Sequence, residues 1–149
     1  MGVCFVSWQN WTESCFGYPL FNGHNFDKVL SFITNHINLI ISDEEERSGF
    51  LNDISVITNE REFFDIAEES MASYVAEIMN KLDGCHDFCG FDSCGNCDTE
   101  EHIGFSRSYP WEFSPKYRKQ EDAIAVLKKF AAELGIEGNP EYNELYYAG

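Results

Sequence analysis

Between Gly84 and Gly104 the chain carries few aliphatic side chains but four of its six cysteines, all within "CHDFCGFDSCGNC", Cys85 to Cys97. Ordering a residue's backbone costs about 1–2 kcal/mol of conformational entropy, and a stretch with little to bury recovers little of that by packing. Such a segment calls for a crosslink. The spacing is C-x3-C-x4-C-x2-C, and Gly95-Asn96 permits the tight turn that brings Cys94 and Cys97 together. Four thiolates in a tetrahedron are what a structural zinc ion takes. The predicted ligands are Cys85, Cys89, Cys94 and Cys97, with His86 and His102 as alternates, in a metal-knot loop at 85–102. Such a shell is closed, which argues against a catalytic ion.

Two other readings stay open. "CGFDSCGNC" resembles the C-x4-C-x2-C run of plant-type ferredoxins, and the resemblance implies an iron-sulfur cluster and a redox role. No cysteine follows Cys97, so Cys85 or a histidine would supply the fourth ligand. The plainest reading is four free thiols in a Gly-rich loop. The N-terminus has no basic region before an apolar core, so no secretory signal is expected, and reduced cysteines favour metal over disulfides. No apolar run reaches the roughly 18 residues of a membrane span. A cytoplasmic location is expected, that of the host cell if the chain is phage-encoded.

Charge is the largest compositional deviation: 26 Asp and Glu against 10 Lys and Arg, a formal net charge of −16. Residues 59–112 hold thirteen acidic and three basic residues, so the acidity is concentrated in the middle. A chain of this sign repels nucleic acid and anionic membrane and is drawn to basic surfaces. Direct binding of either polyanion is disfavoured. The blander reading of the charge is solubility.

At 149 residues, with 44% hydrophobic and 15% aromatic content, one globular domain spanning 1–149 is expected. "GVCFVSWQ" reads as a strand, and Gly17, Pro19, Asn22 and Gly23 as a loop. Asn25 is placed as N-cap of a helix whose stripe runs from Phe26 to Ile40, and Asp43 to Arg47 as a solvated turn. "DISVIT" at 53–58 reads as a second short strand or a run into the next helix. Asn59 and Glu62 resemble a capping box that opens one long helix to Leu82 with the stripe Phe63, Ala67, Met71, Tyr74, Val75, Ile78, Met79 and Leu82. Ser114 and Pro115 start a last helix with the stripe Ala123, Leu127, Phe130, Ala131 and Leu134. The expected fold is helix-rich α+β: about three helices, one or two short strands and the Cys-rich loop.

No phosphate-binding loop, nucleophile elbow or metalloprotease motif is present, and Cys4 and Cys15 lie in apolar company as buried thiols. An enzyme is not expected. Carboxylates three and four apart on a helix form a row of negative charge that a nucleic-acid-binding groove accepts in place of phosphates. Glu60, Glu62, Asp65, Glu68 and Glu69 make that row, Asp92, Asp98, Glu100 and Glu101 continue it, and Trp111, Tyr146 and Tyr147 are candidate aromatic anchors. In size and charge alone the chain is similar to phage anti-restriction and anti-CRISPR proteins and nuclease immunity proteins. That resemblance implies an inhibitor or adaptor whose partner is a basic protein; the alternative is a redox or metal-dependent protein built on the cysteine stretch.

Overall fold

The computed structural model describes residues 11–91, 100–106, 110–112 and 114–147. Among them are four strands, β1 (Trp11–Pro19), β2 (Phe88–Phe91), β3 (His102–Phe105) and β4 (Glu141–Tyr147), in one antiparallel sheet of order β2-β3-β1-β4. Five helices accompany it: α1 (Phe26–Asn35), α2 (Glu44–Ile54), α3 (Glu60–Ala67), α4 (Met71–Asp83) and α5 (Gln120–Glu133). The expectation of about three helices and one or two strands is therefore corrected to five helices and a four-stranded antiparallel sheet.

Each difference has a local cause. The acidic run expected as a turn opens α2, because Asp43 caps the Glu46 N–H at 2.8 Å and Glu44, Glu45 and Glu46 sit where the helix dipole favours negative charge. The long helix is two helices: Glu68 turns left-handed at φ +59° and Ser70 caps a fresh start by accepting the Ser73 N–H. The stripe stays in phase across this break, which hides it from a periodicity argument. Phe63, Met71, Tyr74, Val75, Ile78 and Met79 are buried as expected, whereas Leu82 is exposed. Ser114 does cap a turn, accepting the Lys116 and Tyr117 N–H groups, but α5 starts only at Gln120, and its expected stripe from Ala123 to Leu134 is buried. "DISVIT" forms the end of α2 and the turn after it, and the strand expected before Trp11 lies outside the described residues.

Glycine explains the strand that was read as a loop. Gly17 of β1 faces Gly104 of β3, and a Cβ on Gly17 would stand 2.0 Å from the Ile103 carbonyl oxygen. At β2, a Cβ on Gly90 would stand 2.3 Å from the Ala72 carbonyl oxygen, so only glycine lets α4 lie directly on the strand. Two further ties fix the same contact. The Glu101 carboxylate accepts the Ala72 N–H at 2.9 Å, and the Asn80 side chain accepts the Phe88 N–H and donates to the Phe88 carbonyl, both at 2.9 Å.

Strand alternation gives the sheet two faces. Phe16, Tyr18, Phe88, Ile103 and Phe105 join the main core with the helices, and Phe88 meets Phe105, Tyr117 and Phe130 at ring separations of 5.0, 6.2 and 5.8 Å. Cys15, Phe91 and Leu145, with Cys89 against them, form a separate cluster on the other face.

Asn25 precedes α1 but does not cap it through its side chain. Its amide nitrogen donates to the carbonyls of Leu20 and Leu134 at 2.8 and 2.9 Å, and its oxygen accepts the Asn22 N–H at 2.9 Å. At 2% exposure it ties the end of β1 to the end of α5. Replacing it strands buried carbonyls, each worth about 1–3 kcal/mol. Asn25→Ala is expected to lower unfolding free energy by about 2–4 kcal/mol with an unchanged denaturant slope, measured by urea titration.

Candidate functional site: an acidic face over an aromatic triad

Phe50 of α2, Phe63 of α3 and Tyr74 of α4 pack as a triad, with Phe50 stacked on Tyr74 at 5.7 Å and Phe63 edge-on to both at 6.0 and 5.1 Å. This contact carries the first turn of α2 and the α3–α4 joint to the side of α4. The Tyr74 phenol registers what converges there: burial raises its pKa first, and Glu69, Glu77 and Glu46 raise it further. All three glutamates are exposed and come from three different segments. Among the described residues the one ion pair is Lys116–Asp83 at 3.1 Å, so this face has no cation of its own paired to it.

The expected acidic row is redistributed by the break at Glu68. Glu60 and Asp65 are exposed on α3, and Glu68 and Glu69 are exposed in the joint. Glu62 is engaged internally: its carboxylate accepts from the Thr58 N–H, the Thr58 hydroxyl and the Asn59 amide at 2.9, 2.8 and 3.1 Å. The two Thr58 bonds, the N–H first, hold its carboxyl below the ordinary value. Glu101 is buried on the α4 N-terminus and is not offered to a partner, whereas Glu100 is exposed beside a groove of about 570 Å³ that Glu137 and Glu141 also line. Trp111 is half-buried with its ring edge-on to Phe16 at 5.5 Å. Asp92 and Asp98 lie outside the described residues. Glu46 and Glu77 are outside the expected row, and it is the packing of Phe50 on Tyr74 that brings Glu46 within electrostatic reach of the same phenol as Glu77.

The cysteine stretch is divided by the strand it contains. Cys85 lies in the main core, its thiol directed to the Asn80 side-chain oxygen at 3.5 Å and pushed up to about 11, chiefly by burial. Cys89 belongs to the cluster on the other face, so the structure does not bring these two together. Cys94 and Cys97 lie outside the described residues, and His86 is exposed. His102 pairs with Phe91, which places it on the same sheet face as Cys89, and its Nδ1 meets the Glu100 carbonyl at 2.8 Å. Among the described residues no group of three or more His, Cys, Asp or Glu converges on a metal position. Cys15 is fully buried, its thiol pushed up to about 12 by burial and by Cys89, the opposite of an activated nucleophile.

Around Cys85 the chain builds a polar lock. Asp83 accepts from the Tyr117 hydroxyl and from Lys116, and Asp87 accepts from the Ser114 hydroxyl at 2.6 Å. Burial raises the Asp83 carboxyl, but the hydrogen bonds from Tyr117, Lys116 and Cys85 outweigh it and hold the group below its usual value. Burial and Asp83 together push the Tyr117 phenol well up.

No family model matches the chain, no curated protein is significantly similar to it, and no solved structure matches its fold. No helix among the described residues is long and apolar enough to cross a membrane.

Two titrations check this geometry. Removing charge by Glu69→Gln and Glu77→Gln should lower the Tyr74 pKa toward 10.0, the ordinary phenol value, read from its ring resonances. Stability should fall at both pH extremes. The Asp83 contribution is present above the ordinary 3.8 and is lost as pH falls through its depressed folded value. The Cys85 and Cys15 contributions are complete below 9.0 and are lost as pH rises through about 11 and 12. Denaturation across pH should show Asp83→Asn flattening the acid limb and Cys85→Ala the alkaline one.

Proposed function

We propose that this chain is a non-enzymatic acidic inhibitor or adaptor that acts in the cytoplasm by docking on a basic protein, a nuclease or other nucleic-acid-binding protein. The observation that carries the reading is the convergence of Glu46, Glu69 and Glu77 from three segments around Tyr74, with no basic side chain paired to them among the described residues. Carboxylates held on packed helices present charge at fixed positions, as a nucleic-acid backbone does, and steer encounter with a basic groove. The manner of action is that of the anti-restriction, anti-CRISPR and immunity proteins the chain is similar to in size and charge.

Zinc is proposed as the ion of the cysteine stretch. In the described part this is supported by Cys89 and His102 sharing one sheet face; Cys94 and Cys97 would complete the set, and Cys85 sits in the core apart from it. The role is structural, ordering a connection that has little to bury.

The partner test uses a panel of basic nucleases and repressors, each bound to the wild-type chain at low and raised salt. Wild type should bind a panel member with an affinity that falls as salt rises, DNA should compete, and Glu46→Lys with Glu69→Lys and Glu77→Lys should weaken binding about 10- to 100-fold. Equal binding by the reversed variant would overturn the reading. For the ion, elemental analysis of untagged protein should find one zinc per chain, kept in Cys85→Ala and lost in Cys89→Ser. Iron with sulfide and visible absorption would replace the proposal with an electron-transfer role.

A further inference from the structure

Five large hydrophobic side chains are exposed among the described residues, and three of them, Val56 at 79%, Phe64 at 49% and Ile66 at 36%, fall within the eleven residues 56–66, at the start of the acidic segment. Scattered exposed hydrophobics are ordinary, but here apolar exposure and negative charge occupy the same short stretch. The helix α3 is eight residues long and buries Phe63, leaving its neighbour Phe64 on the flank. On α3, Glu60 and Arg61 both lie one turn from Phe64, Asp65 projects about 100° around the helix from it, and Glu68 closes the helix in the left-handed conformation, all of them exposed. Arg61 is the only cation on this helix.

We infer that Phe64 is the anchor of the docking surface and that its occupant is a basic amphipathic helix of the partner protein. This rests on the proposed reading of the acidic face as a docking surface. Charge complementarity selects the occupant: an apolar stripe receives the Phe64 ring, and lysine and arginine beside that stripe meet Glu60, Asp65 and Glu68. A second copy of this chain would set those carboxylates against their own kind, and lipid or nucleic-acid phosphates would be repelled in the same way. An aromatic ring half-exposed inside a charged rim is the usual composition of an interface hot spot. Trp111, packed on Phe16, is engaged in the fold and does not serve this purpose.

The probe is a synthetic amphipathic helical peptide with a leucine stripe between rows of lysine and arginine, titrated into the full isotopically labelled chain. Wild type should bind it with amide shifts centred on residues 60–68. Phe64→Ser should bind about tenfold more weakly with the same salt dependence, and Phe64→Tyr should retain wild-type affinity. A control peptide of equal charge with serine in place of leucine should bind wild type as weakly as the leucine peptide binds Phe64→Ser. Wild-type affinity in Phe64→Ser, or equal binding of the two peptides, would overturn the anchor. Concentration-dependent dimerisation lost in Phe64→Ser would assign the face to self-association and overturn it as well. If the Glu46, Glu69 and Glu77 reversal weakens peptide binding while Phe64→Ser does not, the anchor falls and the acidic docking surface stands. If neither variant weakens it, both fall.

Discussion

The backbone of α4 at Ala72 lies directly on β2 at Gly90, and the rest of the molecule is arranged around that contact. Close approach of a helix to a strand is possible only where no Cβ intervenes, and it exposes polar backbone groups to desolvation on both sides. The chain answers this with side chains that imitate backbone. Asn80 gives Phe88 the donor and acceptor that a neighbouring strand would give, and Glu101 takes the Ala72 N–H that the first turn of α4 leaves open. With α4 fixed on the sheet, Tyr74 is fixed too, and Phe50 and Phe63 bring α2 and α3 to it. The acidic face is thus held by a chain of packing that begins at one glycine.

Much of the helical core was legible in the sequence because burial there follows the period of the helix. Phe63, Met71, Val75 and Ile78 in the middle, and Ala123, Leu127 and Phe130 near the end, are buried where their spacing puts them. What periodicity cannot reveal is a break that leaves the stripe in phase, as at Glu68, or a helix whose apolar stripe is weak, as in α2. The strands were harder for a different reason. β1 contains Gly17 and Pro19, residues that read as punctuation, and both are tolerated because the glycine faces another glycine across the ladder and the proline ends the strand. No single-sequence signal pairs Gly17 with a residue so far along the chain.

The candidate site was legible in sign and misplaced in detail. The density of acidic residues between 59 and 112 announced a negative surface, but not which carboxylates are free. Glu62 and Glu101 are consumed by capping, a use that sequence spacing hints at for Glu62 through Asn59 and not at all for Glu101. Glu46 joins the face only through the aromatic triad. The cysteine pattern shows the same limit: spacing counts residues, whereas β2, which contains Cys89 and begins after Cys85, puts the Cys89 sulfur on the sheet face away from the main core where Cys85 lies.

The order β2-β3-β1-β4 has a consequence for how the chain reaches its fold. Strand β1 pairs with β3 and β4, whose residues lie more than eighty positions further along, while α1 to α4 form from local turns and near neighbours. Long loop closures are entropically slow and local ones are fast. The helices can therefore assemble on a timescale on which β1 still has no partner, its backbone groups and Phe16 and Tyr18 open to other chains. The strong negative charge serves the molecule in that interval too, since like-charged chains are kept apart while the central strand waits for its neighbours.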